Sequence, residues 1–147
     1  MRYIALGALA LTACARSSLQ QPAAALPMAE CYALTYSDRQ GGATARLFPT
    51  AIELMPGVDS GRAEGQNLPD FLRTDGRNYK GWHKIGADSV AVMFTSTFEG
   101  MRFNLARPDS TLAGRAIWLT DVVGLPESSM RVVGTRENCP PDLQSAK

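Results

Sequence analysis

The chain has 147 residues, a length that fits one domain, and 45% of them are hydrophobic, which disfavours disordered, collagen-like and coiled-coil classes. Fifteen Lys and Arg against fourteen Asp and Glu leave a net charge of +1. No basic surplus exists to displace the counterions of a phosphate backbone, so nucleic acid is not expected as a partner.

The amino terminus reads as a leader. Arg2 supplies the positive start, and Tyr3-Ile4-Ala5-Leu6-Gly7-Ala8-Leu9-Ala10-Leu11 supplies an apolar run. That run suits a signal peptide and is far short of the roughly 20 residues a membrane-spanning helix needs. Leu11-Thr12-Ala13-Cys14 follows, and it resembles the lipobox of bacterial lipoproteins. The resemblance implies diacylglycerol transfer to the Cys14 sulfur, cleavage after Ala13 and acylation of the new terminus. Residues 1–13 would then be lost and Arg2 with them, leaving fourteen charges of each sign and a mature net charge of zero. Ala15 is not the aspartate associated with inner-membrane retention, which implies the outer membrane in a diderm envelope. A later cut after Ala23-Ala24-Ala25, discarding Cys14, is the alternative, and it requires a long polar gap behind the apolar run.

Residues 14–30 form the lipidated cysteine and a tether, rich in small and polar residues with two prolines. A folded domain is expected over residues 31–140, with 141–147 as a tail. Lipidation of Cys14 leaves Cys31 and Cys139 as a pair. An oxidising compartment would join them across a loop of about 108 residues, a cross-link that stabilises by roughly 4–5 kcal/mol in the chain-entropy model. Two free buried thiols are the alternative.

Within the domain, apolar residues recur at every second position, the mark of half-buried strands. The weaker runs are 31–36, 46–55, 78–85 and 129–137. In 78–85 either Trp82 or His83 faces inward. Three runs are clear: Val90, Val92 and Phe94; Met101, Phe103 and Leu105; and Leu112, Gly114, Ala116 and Trp118. The connection 96–99 pairs residues whose numbers sum to 195, placing Phe94 against Met101 and Val92 against Phe103. The turn Arg107-Pro108-Asp109-Ser110 predicts a sum of 217, with Phe103 facing Gly114 and Arg102 directly opposite Arg115. Seven or eight short strands predict an all-β fold, a small antiparallel meander barrel, with a β-sandwich as the alternative. A Cys31–Cys139 bridge favours the barrel, because it brings the first and last strands together. Residues 56–77 read as one long connection, either disordered or packing Leu68, Phe71 and Leu72 across a barrel mouth.

The stretch from Trp82 through Asp88-Ser89-Val90, Phe94, Gly100 and Leu105 to Asp109-Ser110-Thr111-Leu112-Ala113-Gly114 resembles small uncharacterised bacterial lipoproteins with a lipocalin-like barrel. The resemblance covers about a third of the chain. It implies an envelope location and transfers no catalytic residue.

No enzyme motif is present. His83 is the only histidine, no serine sits in a Gly-x-Ser-x-Gly elbow, and Glu99 and Asp109 fall at opposite ends of one strand. Neither zinc spacing nor a phosphate loop occurs, so no metal or cofactor is expected. An eight-stranded barrel either fills its interior with side chains or holds one small ligand. Phe94, Phe103 and Trp118, with Trp82, are the candidate lining of an apolar pocket. The expected role is therefore a lipid-anchored, non-enzymatic envelope protein. It either binds a small apolar ligand or acts as a solid barrel presenting its surface to an envelope partner.

Overall fold

The computed structural model of the chain describes residues 26, 28–40, 47–73, 78–121 and 128–140. The expected signal peptide, Cys14 and the 141–147 tail lie outside these residues. Eight strands follow one another: β1 (Glu30–Gln40), β2 (Ala51–Leu54), β3 (Ser60–Gln66), β4 (Tyr79–Gly86), β5 (Ser89–Thr95), β6 (Glu99–Ala106), β7 (Thr111–Thr120) and β8 (Ser128–Glu137). Each pairs antiparallel with the next, and β8 pairs back onto β1, closing an up-and-down barrel with no sandwich break. Closure leaves no edge strand among the described strands, and the ladders are short where β2 covers Glu30–Ala33 of β1 and where β3 meets β4 over Ser60–Arg62. Next to the closing seam, Cys31 and Cys139 form a disulfide with Cα atoms 5.2 Å apart.

Alternation decides which residues fill the barrel. Val92, Phe94, Met101, Phe103, Leu105 and Leu112 are all 0–1% exposed, whereas their neighbours Met93, Arg102 and Asn104 reach the outer wall. The β5–β6 register sums to 195 as expected, with Phe94 opposite Met101 and Val92 opposite Phe103. It is fixed by the Ser96 amide donating to the Glu99 carbonyl at 2.8 Å and by the Ser96 hydroxyl, which donates to that carbonyl and accepts from the Glu99 amide.

The β6–β7 register is corrected from 217 to 219: Phe103 faces Ala116, Leu105 faces Gly114 and Met101 faces Trp118. The turn explains the two-residue shift. Asp109 adopts a left-handed backbone with φ of 55°, and the Thr111 amide and hydroxyl both donate to the Pro108 carbonyl. Arg107 meanwhile donates its amide to the Asp88 carbonyl in the neighbouring hairpin. The chain closes over 108–111 rather than 107–110. A shift of two preserves which side chains face inward, and the expected Arg102–Arg115 pair is replaced by Arg102 opposite Ile117 and Asn104 opposite Arg115. Like charges do meet one strand further on, where Arg115 faces Arg131.

Two expected boundaries also move. Among the described residues of the 46–55 run only 51–54 form a strand, and Phe48 from its first half turns into the core at 1% exposure. Among its described residues, the long connection 56–77 contains β3 and a 3₁₀ turn, Asp70–Leu72, so it is not a structureless loop. Folded contacts begin before Cys31 as well. Leu26 is 2% exposed and exchanges two backbone hydrogen bonds with Gly57, and Glu30 already lies in β1.

Candidate functional site

The barrel has two distinct ends. The N-terminal end gathers the start of β1, the β2–β3 connection, the β4–β5 and β6–β7 turns and the close of β8. The far end gathers residues 47–50, 67–73 and 96–98. The candidate pocket residues sit between the two.

Phe94 and Phe103 meet edge to face, with ring centroids 6.1 Å apart and planes at 87°. Phe103 continues to Phe48 (6.1 Å, 81°), Phe48 to Trp118 (6.2 Å, 85°), and Trp118 to Phe71 (5.7 Å, 81°). These are the edge-on geometries aromatic quadrupoles prefer. Tyr36 joins the set through Phe48 at 5.4 Å, and its hydroxyl donates to the Pro49 carbonyl at 2.6 Å. Leu68 and Leu72, at 2% and 0% exposure, complete the far mouth. The expected packing of Leu68, Phe71 and Leu72 across a mouth is therefore seen, as part of the continuous core.

Trp82 settles the open question in β4: it faces inward at 1% exposure, and His83 takes the outer wall. It does not join the aromatic set. Its indole Nε1 donates to the Met55 carbonyl at 2.9 Å, near the N-terminal end. Gly61 makes that possible, since a Cβ there would lie 2.5 Å from Nε1 and 2.9 Å from the same carbonyl. Of the four candidates, Phe94 and Phe103 touch, Trp118 reaches them through Phe48, and Trp82 stands apart.

A second cluster lies near the N-terminal end, and sequence reasoning missed it. The Glu30 carboxylate is buried and accepts from the Tyr32 hydroxyl and from Arg107, each at 2.6 Å, while Arg136 sits 3.4 Å from its other oxygen. Burial first, and the Glu30 hydrogen bond second, push the Tyr32 phenol up to about 12. Burial alone raises the Tyr36 phenol well above its ordinary value. Glu30 and Arg107 stand 77 positions apart, and no local pattern links them. For Tyr36 a signal does exist, its alternation with Tyr32 and Leu34 at the end of the 31–36 run.

Beside this cluster a cleft of about 190 Å³ opens at the N-terminal end, lined by Trp82, Lys84, Asp88, Val90, Arg107 and Asp109 among others. Small-molecule pockets run from about 300 to 1,000 Å³ and are mostly apolar, so this cleft falls below that class. A broader, more open groove of about 530 Å³ runs along Ser110, Thr111 and residues 135–138. Among the described residues no group of three His, Cys, Asp or Glu could hold a metal ion.

Compared with known proteins, the chain matches no family model, no curated protein and no solved structure.

Proposed function

We propose that the chain is a lipid-anchored cell-envelope protein whose filled barrel serves as a structural or interaction module, with no chemistry of its own. The interior carries this reading. Phe94, Phe103 and Trp118, which would have to line an apolar pocket, instead meet Phe48 and Phe71 in one continuous packing. Lipidation of Cys14 is supported by the lipobox resemblance, and a Cys31–Cys139 disulfide suits an oxidising compartment. The membrane is the one partner this assigns, and the outer membrane is the site in a diderm envelope.

Two measurements test it. Cys14→Ser should yield unprocessed or soluble protein; a variant that still loses its leader and still fractionates with membranes would refute the anchor. For the filled interior, a fatty acid or naphthyl probe should be titrated while tryptophan emission is followed. Emission should not change, because Trp82 and Trp118 already face protein. Saturable quenching at one equivalent would favour a ligand carrier instead.

A further inference from the structure

Three of the large apolar side chains most exposed to solvent share the N-terminal rim: Met28 at 69%, Val58 at 62% and Ile85 at 46%. Ile85 lies near the end of β4, while Met28 precedes β1 and Val58 precedes β3, so all three fall at the same end of the barrel. The Lys84 amide donates to the Asp59 carbonyl at 2.8 Å, so the chain just after Val58 meets β4 just before Ile85. Leu26 pairs with Gly57, the residue before Val58, and Met28 follows two positions later. The same pairing shows where the chain enters the fold. Twelve residue steps separate Cys14 from Leu26, and at roughly 3.3–3.6 Å each they span at most about 43 Å. A lipid on Cys14 therefore holds this end of the barrel close to a bilayer.

We infer that the rim of Met28, Val58 and Ile85 docks on the surface of the membrane that holds the anchor, with the three side chains entering the headgroup–acyl boundary. This rests on the lipidation reading. Three apolar side chains bind a bilayer weakly by themselves, but a tethered rim meets the surface at high effective concentration. Rim charge is mixed, Lys84, Arg107 and Arg136 standing among Asp59, Asp88 and Asp109. Anionic lipid is thus not required, and screening leaves the docking in place. The far end, with Phe98 at 69% and Tyr79 at 50% exposure, is then turned away from the membrane.

The test uses the full lipidated protein in phosphatidylcholine vesicles. Val58→Cys and Phe98→Cys are each labelled with bimane; Cys14 is occupied by lipid and Cys31 by Cys139. Nitroxide-labelled lipid should quench the probe at 58 several-fold more than the probe at 98, in low and high salt alike. Adding Met28→Glu and Ile85→Glu to the Val58→Cys background should abolish the difference while the vesicles still carry the protein in flotation. Equal quenching of both probes with flotation intact overturns the docking and leaves the anchor standing. Shielding of the probe at 58 without lipid-dependent quenching, together with a doubled native mass, would assign the rim to a second copy and overturn it too. Failure to float, with an unmodified mass at Cys14, overturns the anchor and the docking together.

Discussion

Phe103 is the residue on which the strand pattern and the aromatic core converge. It pairs with Val92 on one side and Ala116 on the other, and its ring touches Phe48 and Phe94. Phe103→Ala should cost about 3–5 kcal/mol in urea unfolding, since neither wall of a closed barrel can collapse into the gap. Asn104→Ala, one position along, removes only an outer-wall hydrogen bond from Arg102 and should cost less than about 0.5 kcal/mol. Equal costs at the two positions would contradict the half-buried strand. The tyrosines predict a different response, to alkali. A phenol in the unfolded chain titrates near 10, whereas folded Tyr32 is held up to about 12. Above pH 10 the unfolded state therefore sheds protons that the folded state keeps, and stability, intact below pH 10, falls as pH rises through 12. Tyr36 adds to the loss in the same direction. Tyr32→Phe should flatten the decline in melting temperature across that window; an unchanged slope would remove Tyr32 as its cause.

Among the elements, β5 and β6 were legible because large apolar and polar residues alternate and the turn between them is short. β3 was not, because its inward row is Gly61, Ala63 and Gly65. A Cβ on Gly61 would run into Trp82, and one on Gly65 would lie 3.1 Å from Leu68. The bulk that belongs to this stretch of wall is supplied from β4 and from the segment after β3, so the strand itself carries no hydrophobic signal. The β6–β7 register failed for a different reason: the direction of Arg107 is set by Asp88 in another hairpin, a long-range contact that no turn rule contains. That register also changes the role of Gly114. A Cβ there would lie 1.9 Å from the Asn104 carbonyl oxygen, so glycine is needed for close strand approach rather than to make room for a ring. Gly114→Ala should therefore destabilise by more than about 1 kcal/mol, beyond any loss seen for Ala113→Gly on the same strand. Tolerance of alanine at 114 would argue for the 217 register, in which Phe103 faces that position.

For the molecule as a whole, closure is secured by the β1–β8 ladder and, near the N-terminal end, by the disulfide and the Glu30 cluster. The disulfide spans 108 residues, so reduction relaxes the unfolded chain strongly. Reducing agent should lower the melting temperature and the unfolding free energy by roughly 4–5 kcal/mol in the chain-entropy model, measured at fixed pH. No change on reduction would mean the ladder alone determines closure.

The most direct measurement of the proposed function is native mass spectrometry of the protein extracted from membranes in mild detergent and kept folded. The expected mass is that of the polypeptide starting at Cys14 with its acyl chains, unchanged when the barrel is then unfolded in the instrument. A stoichiometric small molecule released on unfolding would contradict the filled barrel, and a polypeptide without acyl mass at Cys14 would contradict the anchor.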